Sequence, residues 1–166
     1  MAITLSNGKE VNLYSARFLH IYLLWKGQSK ELGGFQNGEA FSSQRTTADT
    51  TMQGDFHSNV MFFDTEDDTG TLTLNTYPGT STTDILFNLY HLQHDEMQAG
   101  LLSADQMFGL NIVNDSTGEK ITAEGCRLAG LPNNQGNEQA YSLAWTVLAG
   151  YYQNTGADVD DSMFKN

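Results

Sequence analysis

DTEDDTGTLTLNTYPGTSTTDILFNLYHLQHDEMQAG, residues 64–100, reads as a strand, a turn and one long helix. Over residues 71–77 the side chains alternate, with Leu72 and Leu74 on one face and Thr71, Thr73 and Asn75 on the other. A period of two in a Thr-rich run predicts a strand buried on one face only. Pro78-Gly79 ends it. Ser81 then reads as a helix N-cap, with Asp84 three residues on in the position of a capping box. From there the period becomes helical: Leu92, Ile85, Leu89, Leu86, Met97 and Tyr90 fill one stripe, and Asp84, Asn88, His91 and Asp95 fill the opposite side. Gly100 supplies the C-terminal stop. The expected core is Leu72, Leu74, Ile85, Leu86, Leu89, Leu92 and Trp145. Phe87 falls on the polar side near His94, which fits either a rim contact within the fold or a contact with another subunit.

Working outward from that unit, the chain is rich in strand signals. Residues 1–14 predict a hairpin, with Ile3 and Leu5 before Asn7-Gly8 and Val11 and Leu13 after it. RFLHIYLLWK, residues 17–26, is apolar on both alternating faces and reads as a strand covered on both. Residues 28–52 are polar and low in aliphatics, with only Phe35 and Phe41 as anchors. A compact domain rarely carries such a length as idle loop, and frequent Thr without Pro favours an extended hairpin arm that packs outside its own domain. Residues 55–63 return as a strand into the acidic turn at 64–68. After the helix, Phe108, Leu110 and Ile112 alternate with Gly109, Asn111 and Val113, and residues 120–127 return beyond a turn at 114–118. Residues 140–152 form the last expected strand, again apolar on both faces, and the acidic tail at 154–166 is expected to fray. No internal repeat is present. The predicted class is therefore mainly β, an antiparallel sandwich or barrel-like single domain over 1–166 with one amphipathic helix and one arm.

Composition narrows the function. With 8 basic and 20 acidic residues the net charge is −12, the wrong sign for gripping nucleic-acid phosphates or an anionic membrane surface. The one cysteine, Cys126, excludes an internal disulfide framework and reads as a small core residue. MAITLSNGKE has no basic region leading into an apolar segment, so no secretory leader is expected, and the apolar run at 18–25 is too short to span a bilayer. His91 and His94 have spacing for a shared metal, but nothing else supplies a third ligand, and Glu66-Asp67-Asp68 lacks calcium-loop spacing. No phosphate-cradling loop, nucleophile elbow or HExxH motif occurs. Neither an enzyme nor a cofactor or metal is expected.

The order of these motifs resembles the tail tube proteins of contractile-tailed bacteriophages, a group similar in fold to the inner tube of type VI secretion. The resemblance runs over residues 17–150. It rests on RFLHIYLLWKG, then Leu32-Gly33-Gly34-Phe35 with Glu39 shortly after, then Gly54-Asp55. Its best-matched part is DDTGTLTLN (67–75) followed by TTDILFNL (82–89). It departs from the pattern at Gly54-Asp55-Phe56-His57, where similar proteins often carry a second glycine. The resemblance implies a structural virion protein, built in the cytoplasm of a bacterial host. Six copies would form a ring and the rings would stack into a tube, with sheath, baseplate and terminator proteins as partners and DNA passing without specific binding. Phe35, Asn37, Glu39, Phe41, Arg45 and Phe87 would then meet neighbouring subunits, and Asp64, Asp67, Asp68, Glu119 and Glu124 would face the bore. Two other readings stay open: another ring-forming tail component such as a terminator or secreted ring protein, and a soluble ligand-binding β-domain.

Overall fold

A computed structural model describes residues 2–12, 14–136 and 141–156. Eleven strands and one α-helix are defined among them. The expected first hairpin pairs β1 (Ala2–Thr4) with β2 (Glu10–Asn12), with Gly8 at φ +78 in its loop; Leu13 lies outside the described residues. A short 3-10 turn, Ala16–Phe18, leads into β3 (Leu19–Trp25), which turns back through Lys26-Gly27 into β4 (Gln28–Leu32). β5 (Phe41–Arg45) follows, then β6 (Thr50–Gly54), β7 (Val60–Asp64) and β8 (Gly70–Thr76). The helix α1 (Ser81–Gln98) precedes β9 (Phe108–Asn114), β10 (Glu119–Leu128) and β11 (Leu143–Asn154). The beginning of the last expected strand, at Ala140, and the acidic tail from residue 157 lie outside the described residues.

Seven strands form one antiparallel sheet in the order β4-β3-β9-β10-β11-β8-β5. Its two edge strands are consecutive in the chain, joined by residues 33–40. Phe41 of β5 lines one small cavity with Leu19 of β3, Ile112 of β9 and Ile121 of β10. Strands so far apart in the sheet order can share a cavity only if the sheet curls strongly on itself, into an open barrel. The curl is assisted by a bulge in β10. Between the pairs Ala123↔Leu110 and Cys126↔Phe108 that strand spends three steps against two on β9, and Gly125 takes φ +60. Where β8 meets β11, a Cβ on Gly70 would lie 2.4 Å from the Cβ of Tyr152, so only glycine lets these two chains approach.

The concave face holds the core. Leu72, Leu74, Leu110, Trp145 and Val147 are fully buried there, and Leu86 of α1 joins them from the other layer. The strand at 71–77 alternates in burial along its whole length, from Gly70 to Thr76. The helix starts one residue earlier than expected. Thr80, not Ser81, is the N-cap, and its hydroxyl accepts from the Thr83 amide. The buried face of α1 is Thr82, Thr83, Leu86 and Leu89, so two hydroxyl residues occupy core positions that an apolar stripe passes over. Both are satisfied: Thr82 Oγ1 donates to the Gly33 carbonyl at 2.5 Å, and Thr83 Oγ1 reaches Thr76 Oγ1 at 2.9 Å and the Tyr77 carbonyl at 2.8 Å. Gln93 clamps the middle of the helix to β10 through both the amide and the carbonyl of Leu128. These bonds turn the helix so that Ile85 and Leu92, expected in the core, are only half-buried. Met97 at its C-terminal end is 52% exposed.

Two strands expected to be covered on both faces are covered on one. In β3, Ile21 and Leu23 are buried while Leu24 is exposed, and in β11, Leu143, Trp145 and Val147 are buried while Ala144 and Leu148 are exposed. The sheet is long enough to satisfy their backbones, but the described residues form one helical layer, on the concave side, and none of them covers the convex side.

Candidate assembly surfaces

The segment 28–52 is not a single arm. Gln28–Leu32 and Phe41–Arg45 are the two edge strands of the main sheet, and the projecting hairpin is β6 with β7, displaced towards the C-terminus. The physical reason is that an edge strand and an arm have the same composition. Each leaves one face or one edge in water, so each is polar and Thr/Ser-rich. Residues 55–63, expected as a strand, divide into the hairpin turn at 55–59 and strand Val60–Asp64.

The hairpin turn is built by Asp55. Its carboxylate accepts from the amides of His57 and Asn59, both at 2.8 Å, and from Asn59 Nδ2 at 2.9 Å. These bonds, the Asn59 side chain first, hold the Asp55 carboxyl below its ordinary value. Ser58 takes φ +65, the left-handed conformation in which glycine is free of strain, in the turn where the sequence departs from the expected glycine pattern. Every residue of β6 and β7 is exposed. Met52 pairs with Phe62, Gly54 with Val60, Thr51 with Phe63 and Gln53 with Met61, so both faces carry large apolar groups. Phe56 at the tip is 98% exposed. A two-stranded hairpin is marginal alone in water, and an apolar one needs a partner layer.

Acidic and basic groups pin the root of the hairpin to the sheet. Arg45 Nη1 reaches Asp68 Oδ1 at 2.7 Å and the Asp67 carbonyl at 3.0 Å, with Asp49 at 3.6 Å. Asp67 accepts from the Thr69 hydroxyl at 2.7 Å and amide at 3.0 Å, and from Thr47 at 2.8 Å, which lowers its pKa in that order. Thr50 donates to Asp64 across the first pair of the hairpin.

Most of the residues expected at subunit boundaries have contacts within their own chain. Phe35 forms an isolated bridge with Thr76, and Phe35 and Phe41 pack against the chain's own core. Phe87 is half-buried and stands edge-on to Trp145, with ring centroids 4.8 Å apart. The Asn37 amide donates to the Tyr77 hydroxyl, the Glu39 carbonyl accepts from Asn75 Nδ2, and Arg45 serves the hairpin root. The five acidic residues expected at a bore lie on different elements. Asp64, Asp67 and Asp68 belong to the hairpin and its root, Glu119 lines the small cavity beside Tyr14 and Phe41, and Glu124 sits at the bulge on the open sheet face. Met52, Phe56, Val60, Met61, Phe62 and Phe63 were the apolar surface to find. Its signal in the sequence is the unbroken run of four apolar residues at 60–63.

A second surface lies between α1 and the β3–β4 edge. A groove of about 460 Å³ is lined by Leu23, Trp25, Ile85, Leu89 and Leu92, with Lys30 among its few polar neighbours. Trp25 is fixed there by its indole N–H, which donates to the Asp105 carbonyl at 2.8 Å, and by Lys26 over its ring. On the convex face of the sheet, His20 links β3, β4 and the turn at 115. Its Nδ1 lies 2.6 Å from Glu31 and its Nε2 3.5 Å from Asp115. The bond to Glu31 raises the His20 pKa above 6.5, partial burial opposes it, and the two carboxylate charges add to it. Cys126 is buried, and desolvation pushes its thiol up to about 12, which leaves it unreactive in the folded chain. Among the described residues no three His, Cys, Asp or Glu side chains are grouped to hold a metal ion. No described helix is long and apolar enough to cross a membrane.

No protein-family model matches the chain, and none of the curated proteins matches it. Its fold does match solved structures. A chain of the anti-feeding prophage (AFP) baseplate, from a 6-fold symmetrised cryo-EM structure, aligns with TM-score 0.53 at 10% identity, over 90% of this chain and 99% of that one. The sheath/tube terminator of an extracellular contractile injection system, PVC, in its extended state, aligns with TM-score 0.50 at 11% identity, over 88% and 99%. The chain thus has the mainly antiparallel, one-helix fold of the tail-tube-like components of contractile injection systems.

Proposed function

We propose that the chain is a structural subunit of a phage-like tail, a tube protein whose six copies close into a ring and whose rings stack into a conduit for DNA. The observation that carries this reading is the hairpin Thr50–Asp64, apolar on both faces and covered by none of the described residues. Two further features support it. The edge strands β4 and β5 each pair on one side only among the described residues, and pairing or covering their other sides between subunits removes a hazard that a monomer would have to manage alone. The convex face of the sheet presents Tyr22, Asn111, Thr122 and Thr146, and its charges include His20, Glu31, Lys120 and Glu124 in near balance. It offers no basic cluster to hold a passing duplex. A wall close to neutral neither grips the duplex nor opposes its travel, and screening limits the reach of each of its charges to about 8 Å at physiological salt. Sheath, baseplate and terminator proteins are the partners of such a tube, which is assembled in the host cytoplasm and resides in the virion tail.

Negative-stain microscopy of the purified protein, with sedimentation across a concentration series, tests this. Tubes of variable length with a six-fold cross-section are expected. Single closed rings that do not stack would assign the terminator role instead, and a strict monomer would overturn the reading. Replacing residues 51–63 by a short turn is expected to leave a folded chain that does not polymerise, because the main sheet contributes none of its own strands to that hairpin.

A further inference from the structure

We infer that the hairpin of one copy seats in the groove between α1 and the β3–β4 edge of the next copy, so that assembly proceeds head to tail. This rests on the tube reading above and names the receptor surface that the reading leaves open. The hairpin leaves the domain between β5 and β8, at one edge of the sheet, whereas the groove lies beside β4 and β3, at the other. A contact joining opposite edges is heterologous. Each copy gives one hairpin and receives one, and the operation repeats to a closed ring or a helical filament. The hairpin stays exposed in its own chain, so it does not fold back to fill its own groove.

The two surfaces match in chemistry. Met52 and Phe62 are direct cross-strand partners, Val60 is the next residue towards the tip on the same face, and Phe56 stands exposed at the tip. The groove opposes them with Leu23, Trp25, Ile85 and Leu92, the last two being the helix residues that their own core leaves half-buried. The charges are complementary as well. The hairpin carries Asp55 and Asp64 and no Lys or Arg. The charged residue lining the groove is Lys30, which forms no ion pair among the described residues. In a chain with 20 acidic and 8 basic residues, a basic rim on this groove is selective for an acidic visitor.

Mixing two blocked variants tests the inference. Phe62→Asp disables the hairpin and keeps the groove; Leu92→Asp disables the groove and keeps the hairpin. Each alone is expected to associate at least about 30-fold more weakly than the wild type, the effect of losing an interface hot spot. Mixed, they should form a terminated 1:1 heterodimer by sedimentation, since one intact hairpin meets one intact groove. Circular dichroism checks that each is folded, and Lys30→Glu, on an exposed strand, replaces Leu92→Asp if the latter unfolds. In a second measurement, Phe62→Cys copies mixed with Ile85→Cys copies should cross-link to each other under mild oxidation. Wild-type rings or tubes together with normal assembly of either blocked variant, or cross-linking of Phe62→Cys copies only to themselves, would overturn the inference and leave the tube reading standing. A monomeric wild type would overturn both.

Discussion

Leu86→Ala measures how the helix is seated. Leu86 is fully buried against the sheet core, so truncation removes three carbons from a closed site. At about 0.8 kcal/mol per buried methylene the transfer part is about 2.4 kcal/mol. A residual cavity of about 50 Å³ adds about 1.2 kcal/mol at roughly 24 cal/mol per Å³. The sum, about 3.6 kcal/mol, corresponds to a fall in Tm of roughly 7–14 °C for a chain of this size. Leu92→Ala is the control. Leu92 is half-buried at an open groove, which water already reaches, and its loss should cost no more than about 1.5 kcal/mol. Urea unfolding followed by tryptophan fluorescence reads both, with buried Trp145 as reporter, at concentrations where sedimentation shows one species, because association would add its own stabilisation. Equal losses at the two positions, or a larger loss at Leu92, would refute the placement of Thr82, Thr83, Leu86 and Leu89 as the inner face of α1.

Gly70→Ala should destabilise by roughly 1–3 kcal/mol, because the new methyl would stand 2.4 Å from Tyr152 Cβ and 3.1 Å from the Gln44 carbonyl; an unchanged urea midpoint would show that β8 and β11 are not packed this closely. His20 should titrate above pH 6.5 by NMR, and since its folded pKa exceeds the unfolded one, its contribution to stability is complete below pH 6.5 and is lost as pH rises through the folded pKa. Glu31→Gln should bring that titration back towards 6.5 and flatten the pH dependence over the same window; an unmoved His20 titration would refute the pairing.

Residues 64–100 could be read from the sequence because each of their signals is local. Alternation at 71–77, the break at Pro78-Gly79, a hydroxyl cap read at Ser81 and found one residue earlier at Thr80, and a glycine stop all act within a few residues of the element they define. The fold class follows from the same kind of signal repeated along the chain. Which strand lies beside which is a different matter. The polar texture of residues 28–52 is what the edges of a sheet require and also what an arm requires, and only the pairings of Gln28–Leu32 with β3 and Phe41–Arg45 with β8 separate the two. In the same way, the run at 60–63 declares two apolar faces but not that both are bare. Phe87 looked misplaced on a helical wheel because its partner, Trp145, stands far along the chain. Thr82 and Thr83 stand outside the apolar stripe of the sequence, and it is Gly33, Thr76 and Tyr77 that supply the partners their hydroxyls need in the core. The sequence by itself therefore determined the elements and the sign of the surface charge, while the tertiary structure decided edge, arm, core and groove, because periodicity reports that a residue has a face and only a distant contact decides what covers it.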